Sequence, residues 1–302
     1  MSPAPAPKSA LAAARHGRAP AGTTRRPPSQ VRAFVHTPTA LVGAVIVCAY
    51  LLAAVGARFL APVDPIAMAP GALLAPPGGG HPFGTDQFGR DVLSRLLFGS
   101  RVSLGVSFVS VAIALAGGGT IGVLSGYYGG ALDNVLMRIM DVIFAFPAVL
   151  LAIAIMAVAG TRPPVLVAAI GLVYIPQFAR VTRGSTLQAR GVEYVEAARA
   201  QGASVTRILV HHIVPNILAP IIVQTSLSLS FAILTESALS FLGLGTQPPT
   251  PSWGNMLAEA RRFMTTAPWT AVFPGIAISL IVLGFNLLGD GLRDLLDPRL
   301  RL

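Results

Sequence analysis

Few side chains in this sequence have the type and spacing that chemistry needs, and the gaps are as informative as the matches. A phosphate-binding P-loop needs a lysine after its glycines, and the only lysine is Lys8, set in an Ala- and Pro-rich tail. The chain therefore carries no ATPase site of that kind, and any ATP it depends on is hydrolysed by another subunit. Cys48 is the only cysteine, which excludes an internal disulfide, and no Cys/His spacing suits zinc. His211 and His212 are adjacent. On a helix they cannot both face one site, and they read as a membrane-interface pair. No Ser/His/Asp set or HExxH pair marks an enzyme centre. Asp141 and Glu236 flank apolar runs and Asp290 ends the last one. Such acids are functional candidates at membrane depth, and they equally suit an interface or an arginine partner.

The most informative stretch is YVEAARAQGASV at 194–205, with Pro215 beyond it. Glu196, Ala197 and Ala198 favour a helix, and the two alanines leave a surface that a partner can approach closely. Gly202 can take the left-handed conformation that ends a helix and turns the chain. The local expectation is a short helix, a sharp turn and a second helix outside the bilayer. Such an elbow can transmit motion between a partner and the rest of the chain, or it can be an ordinary loop helix with a glycine cap.

The elements that must position this elbow are apolar. The chain has 302 residues, 53% hydrophobic and 11% charged, with a mean hydropathy of +0.69. A soluble domain carries about 25% charged residues, so a single soluble globule and a disordered chain are both excluded. Eight windows of 17 or more residues lack Asp, Glu, Lys and Arg: 33–57, 65–85, 102–132, 142–161, 163–179, 208–235, 237–258 and 263–289. Proline and glycine rule out 65–85 and 237–258 as continuous helices against lipid, leaving six spans of suitable length. Pro163 and Pro164 suit the first turn of the fourth. Of the 22 Lys and Arg residues, fifteen fall on the side of both termini and seven on the other, which places both termini in the cytoplasm.

Three divisions follow. Residues 1–30 form a disordered basic Ala/Pro-rich cytoplasmic tail, residues 31–100 the first transmembrane helix and an external loop, and residues 101–302 a five-helix core with a cytoplasmic loop at 181–215. The tail holds Lys8, Arg15, Arg18, Arg25, Arg26 and Arg32 in its vicinity and no acid. It sets topology and touches anionic lipid rather than nucleic acid, for which no aromatic interleaving or fold motif is present. The tail and first span read as a retained signal anchor. Gly117, Gly118, Gly119 and Gly122 allow close helix approach, and Pro147, Pro176 and Pro274 are placed to kink spans. Both features also suit static packing.

The 194–215 stretch resembles the EAA motif of ABC importer permeases, matched at Glu196, Ala197, Ala198, Gly202 and Pro215. It departs where the pattern has Ile-x-Leu-Pro, since His212, Ile213, Val214 and Pro215 stand here. HPFGTDQFGRDVLSR at 81–95, SALSFLGLGTQPPTPSWG at 237–254 and GDGLRDLLDPR at 289–299 resemble segments of the C-type subunit in the dipeptide/oligopeptide/nickel branch. The matches run in order from residue 81 to the carboxyl end.

The resemblance implies an all-α integral membrane protein with six transmembrane helices and the type I ABC importer (MetI-like) permease fold, multi-pass in a bacterial plasma membrane. It implies a non-enzymatic subunit that forms half of a pathway for di- and oligopeptides, or for nickel, glutathione or another peptide-like solute. The implied partners are a second permease, two ATP-binding cassette subunits that hold ATP and magnesium, and an external solute-binding protein. ATPase coupling falls on Glu196, Ala197, Ala198, Gly202, Ala203 and Ser204. Phe83, Asp86, Arg90, Asp91 and Trp253 lie in external segments that close an outer gate, receive the binding protein or simply cap the bundle. The competing class is an ion-coupled secondary transporter, whose internal repeats and midplane acids are not evident here.

Overall fold

The computed structural model describes residues 37–296. The tail expected over 1–30 lies outside the described residues. Nine helices organise what is described: α1 (Pro38–Leu60), α2 (Val92–Tyr128), α3 (Gly130–Phe144), α4 (Ala148–Ala159), α5 (Pro163–Arg190), α6 (Glu193–Ala200), α7 (Val205–Phe241), α8 (Trp253–Ala260) and α9 (Trp269–Leu296). Only isolated bridges, Gly78 with His81 and Thr85 with Asp91, represent β structure among these residues.

Five helices, α1, α2, α5, α7 and α9, are long and apolar enough to cross a membrane. The third crossing differs from the continuous span expected over 142–161: α3 and α4 meet at 88°. Pro147, at the break, has no N–H and restricts the residue before it to extended backbone. Alone, α4 has 12 residues, about 18 Å at 1.5 Å per residue, too short to cross, so a sixth crossing needs the bent pair together. Pro176 and Pro274 do lie inside helices, as does Pro220.

Two helices start earlier than their charge-free windows. α2 begins at Val92 because Asp91 caps it, accepting from the Ser94 N–H at 2.8 Å. α7 begins at Val205, capped by Ser204, and runs unbroken into the membrane. The second helix expected outside the bilayer is thus the cytoplasmic end of a span. A π-helical turn at Leu209–Ile213 absorbs the change of register just before Pro215, which has no N–H to give.

The scaffold is set by backbone approach between α2 and α5. A Cβ on Gly118 would lie 2.6 Å from Phe178 Cβ, on Gly122 2.6 Å from the Ala179 carbonyl oxygen, and on Gly126 2.7 Å from Thr186 Cβ. These glycines recur every fourth residue on one helix face. Gly117 meets only the flexible end of the Ile175 side chain on α5, and Gly119 points elsewhere, toward Leu115 of its own helix. Without a hydrophobic driving force between helices in lipid, such close packing is what holds spans together. The core centres on Phe178, Ile170, Tyr174, Ile233 and Trp253.

Candidate functional site

At the arginine-rich end, α5 stops at Arg190 and α6 begins three residues later. Gly202 has φ +78°, its N–H donates to Arg199 O at 3.0 Å, and the Ala203 N–H donates to Ala198 O at 3.1 Å. This pair of bonds is the Schellman closure of a helix, the turn that Gly202 was expected to make. Glu193 and Glu196 lie in the first turn of α6 and Arg199 in its last, each with the favourable sign for the helix dipole.

Val195 is the side chain that seats the elbow. It is 0% exposed and joins a cluster with Tyr127, Ala189, Ile208, Ile213 and Ile217. Those residues are the cytoplasmic ends of α2, α5 and α7. Burying one valine contributes about 2 kcal/mol toward holding a helix of eight residues that would not persist alone. The Arg190 guanidinium donates to Tyr127 O at 2.8 Å. Glu196, Ala197, Gly202 and Ser204 are exposed, and Ala198 and Ala203 are half-buried. Four of the six expected coupling residues are therefore accessible, on a base that touches three spans.

At the other end, the segments around α8 and before α2 form a single cap. Phe88 and Arg90 N–H groups donate to Asp86 Oδ1 at 2.8 and 3.0 Å, and Arg90 Nε donates to Asp86 Oδ2 at 2.6 Å. Arg90 and Arg95 both reach Glu259 Oε2, at 2.5 and 3.0 Å. Two arginines thus share two carboxylates across the loop, α2 and α8. Asp91 adds His81 Nδ1 at 2.9 Å to its capping role. Phe83 stacks on Phe273 with centroids 4.0 Å apart. Trp253 is fully buried, donates from Nε1 to Leu96 O at 3.1 Å and sits edge-on to Tyr50 at 5.7 Å. The structure brings all five external candidates into this cap, and buries Asp86, Arg90, Asp91 and Trp253 inside it.

The acids divide. Asp141 pairs with Arg180 at 2.8 Å on an exposed surface, and Asp133 takes both Nε and Nη2 of Arg183 at 2.6 Å. Asp290 is exposed. Glu236 has neither an interface nor an arginine. It is 0% exposed, Ser240 donates to it at 2.8 Å, and the hydroxyls of Ser103, Ser237 and Ser252 face it. It sits where α7, α2 and the start of α8 meet: Ser103 Oγ accepts from the Trp253 N–H at 3.3 Å, and a Cβ on Gly254 would lie 2.7 Å from Ser237 Cα.

Sequence reasoning missed Val195, Tyr127, Arg95 and Glu259 as members of these sites. For Arg95 and Glu259 a signal existed: Glu259 borders the charge-free window 237–258, and Arg95 ends the 81–95 segment that holds Asp86 and Arg90. For Val195 and Tyr127 none did, because their meaning lies in contacts between distant segments.

Comparison with known proteins fits this geometry. The family described as "Binding-protein-dependent transport system inner membrane component" matches residues 118–302, and "N-terminal TM domain of oligopeptide transport permease C" matches residues 29–77. The dipeptide transport system permease protein DppC of Alkalihalophilus pseudofirmus is 47% identical over 262 residues, 87% of this chain and 86% of the relative. The glutathione transport system permease protein GsiD of Pectobacterium atrosepticum is 49% identical over 225 residues, 74% of this chain and 75% of the relative. A chain of the MetNI methionine ABC transporter shares the fold, with TM-score 0.53 and 18% identity over 67% of this chain and 96% of that one.

Proposed function

Since this chain belongs to the family of binding-protein-dependent transport system inner membrane components, a multi-pass permease component rather than an ATPase, we propose that it is one half of the membrane pathway of an ATP-driven importer of di- and oligopeptides. Its partners are a second permease, two ATP-binding cassette subunits that hold ATP and magnesium, and an external solute-binding protein. The elbow carries the proposal. The surface at Glu196, Ala197, Ala198, Gly202, Ala203 and Ser204 docks an ATPase subunit. Val195 then passes a rigid-body displacement to α2, α5 and α7 together, because all three ends share its cluster.

At the outer end, Phe83, Asp86, Arg90, Asp91 and Trp253 act by holding the cap in one shape. Their burial suits a frame that presents surface loops to the binding protein and moves as a unit with the ends of α2 and α9. Peptide cargo is supported by the naming of the DppC relatives. Glutathione, itself a peptide-like solute, is the second reading, supported by the GsiD relative. The test is ATP hydrolysis by the natively purified complex in lipid with its binding protein. Stimulation by a di- and tripeptide mixture supports peptide import. Stimulation by glutathione or nickel alone keeps the machine and changes the cargo, and a complex without an ATPase refutes the assignment.

A further inference from the structure

Gln177 lies on α5 one turn before Arg180, near the end of the charge-free window 163–179, and Gln224 lies inside the charge-free window 208–235 of α7. Gln224 Nε2 donates to Gln177 Oε1 at 3.3 Å and to Ser228 Oγ at 3.0 Å. The hydroxyls nearby turn back on helix carbonyls: Thr225 donates to Ile221 O at 2.8 Å, Ser185 to Val181 O at 3.0 Å and Ser226 to Phe285 O at 2.8 Å. The two amides cannot satisfy themselves in that way. Each has a carbonyl and an amino group, and the bond between them uses one of each. Gln177 Nε2 and Gln224 Oε1 have no hydrogen bond to any described residue. Exchanging oxygen and nitrogen in both side chains leaves the same pair of one amino and one carbonyl group. Both residues are half-exposed on the subunit's surface.

An amide left open to hydrocarbon is strongly disfavoured, so this spot does not face lipid. Polar groups at such depth meet the bundle interior or a water-filled path. A donor beside an acceptor is also the complement of a peptide bond, which offers one C=O and one N–H whatever its flanking side chains. We propose that Gln177 and Gln224 line the translocation pathway and hold a passing peptide by its backbone amide. The peptide half of this assignment rests on the cargo proposed above, whereas the pathway half does not. A two-bond contact there would tolerate varied side chains and release its ligand readily, as a transport site must.

The test uses the assembled transporter in lipid vesicles, with Cys48→Ala as background. Gln177→Cys and Gln224→Cys are probed with a charged, water-soluble thiol reagent, and Val45→Cys on the exposed face of α1 is the lipid control. Both glutamine positions should be modified at least about tenfold faster than the control, and alanyl-alanine with the binding protein and ATP should slow the modification. The Gln177→Leu/Gln224→Leu pair should lower alanyl-alanine uptake at least about tenfold, the size of two modest net hydrogen bonds, with the complex still assembled. If neither cysteine reacts in an assembled complex, the pair packs against the second permease or lipid, and the pathway assignment is overturned whatever the cargo. Modification that alanyl-alanine does not slow, in a complex whose ATP hydrolysis it does stimulate, overturns the backbone contact. Absence of that stimulation in the unaltered complex overturns the peptide cargo instead, and the backbone contact with it.

Discussion

Arg199, in the last turn of α6, sets its guanidinium 5.7 Å from the ring centre of Tyr127, next to the end of α2. The same tyrosine gives its carbonyl to Arg190 at the end of α5 and its side chain to the cluster around Val195. A displacement of α6 cannot be absorbed by α5 and α7 alone, since α2 is tied to the same point. The elbow is therefore a joint among three spans rather than a loop between two.

Val195→Asp places an unpaired charge in that cluster, where a full desolvation penalty falls on the seat of α6. The complex should assemble through its spans and keep hydrolysing ATP, yet import should fall by an order of magnitude or more. Uptake per ATP hydrolysed, measured in vesicles, checks this. Val195→Ile should keep uptake near normal, because it is a small volume change in an apolar site.

The cap should fail as a unit. Glu259→Ala leaves Arg90 and Arg95 sharing Asp86 alone, and an uncompensated buried charge typically costs about 3–5 kcal/mol. Purified complex carrying this change should melt earlier and lose stimulation by the binding protein, with unstimulated hydrolysis retained. Full stimulation at a normal melting temperature would count against the cap as a rigid frame.

Gly122→Ala and Gly119→Ala form a matched pair on α2. The new Cβ at 122 meets Ala179 O and Thr182 Cβ, each at 2.6 Å, whereas at 119 its nearest contact is Leu115 Cδ1 at 3.9 Å. The first should cost about 1–3 kcal/mol through overpacking and lower the yield of assembled complex. The second should be silent in the same thermal-melting assay.

Glu236 offers a test of position against charge. Glu236→Gln keeps an oxygen for the Ser240 hydroxyl and the same volume, so the cap should stay attached and transport should persist. Glu236→Ala leaves a cavity and takes the acceptor from the Ser240 hydroxyl, costing about 2–4 kcal/mol. It should expose the 242–252 segment to protease. Equal damage from both variants would mean that the carboxyl does more than hold neighbours in place.

Much of this architecture was legible in residue types. Charge-free windows marked five helices correctly, because in lipid a span must be continuous and apolar. They placed the starts of α2 and α7 too late, because caps at Asp91 and Ser204 extend both helices past the apolar run, α2 into the buried outer cap and α7 to an exposed end. The bend at Pro147 was foreseeable from proline, but its 88° size was not, since proline fixes where a helix breaks and not how far it turns. Gly202 declared its turn because few other residues tolerate a positive φ there. The roles of Val195 and Gln224 were hidden, since each is defined by a partner far away in sequence.

The central claim is that ATP-driven motion enters this subunit through α6 and its Gly202 turn. Gly202→Pro removes both the positive φ and the N–H that bonds Arg199 O, and it alters no span. The decisive measurement is dipeptide uptake and ATP hydrolysis in the same vesicles, comparing this variant with the unaltered complex at equal assembly. Hydrolysis that continues with uptake reduced at least about tenfold is the predicted result. Uptake per ATP equal to that of the unaltered complex would contradict the account.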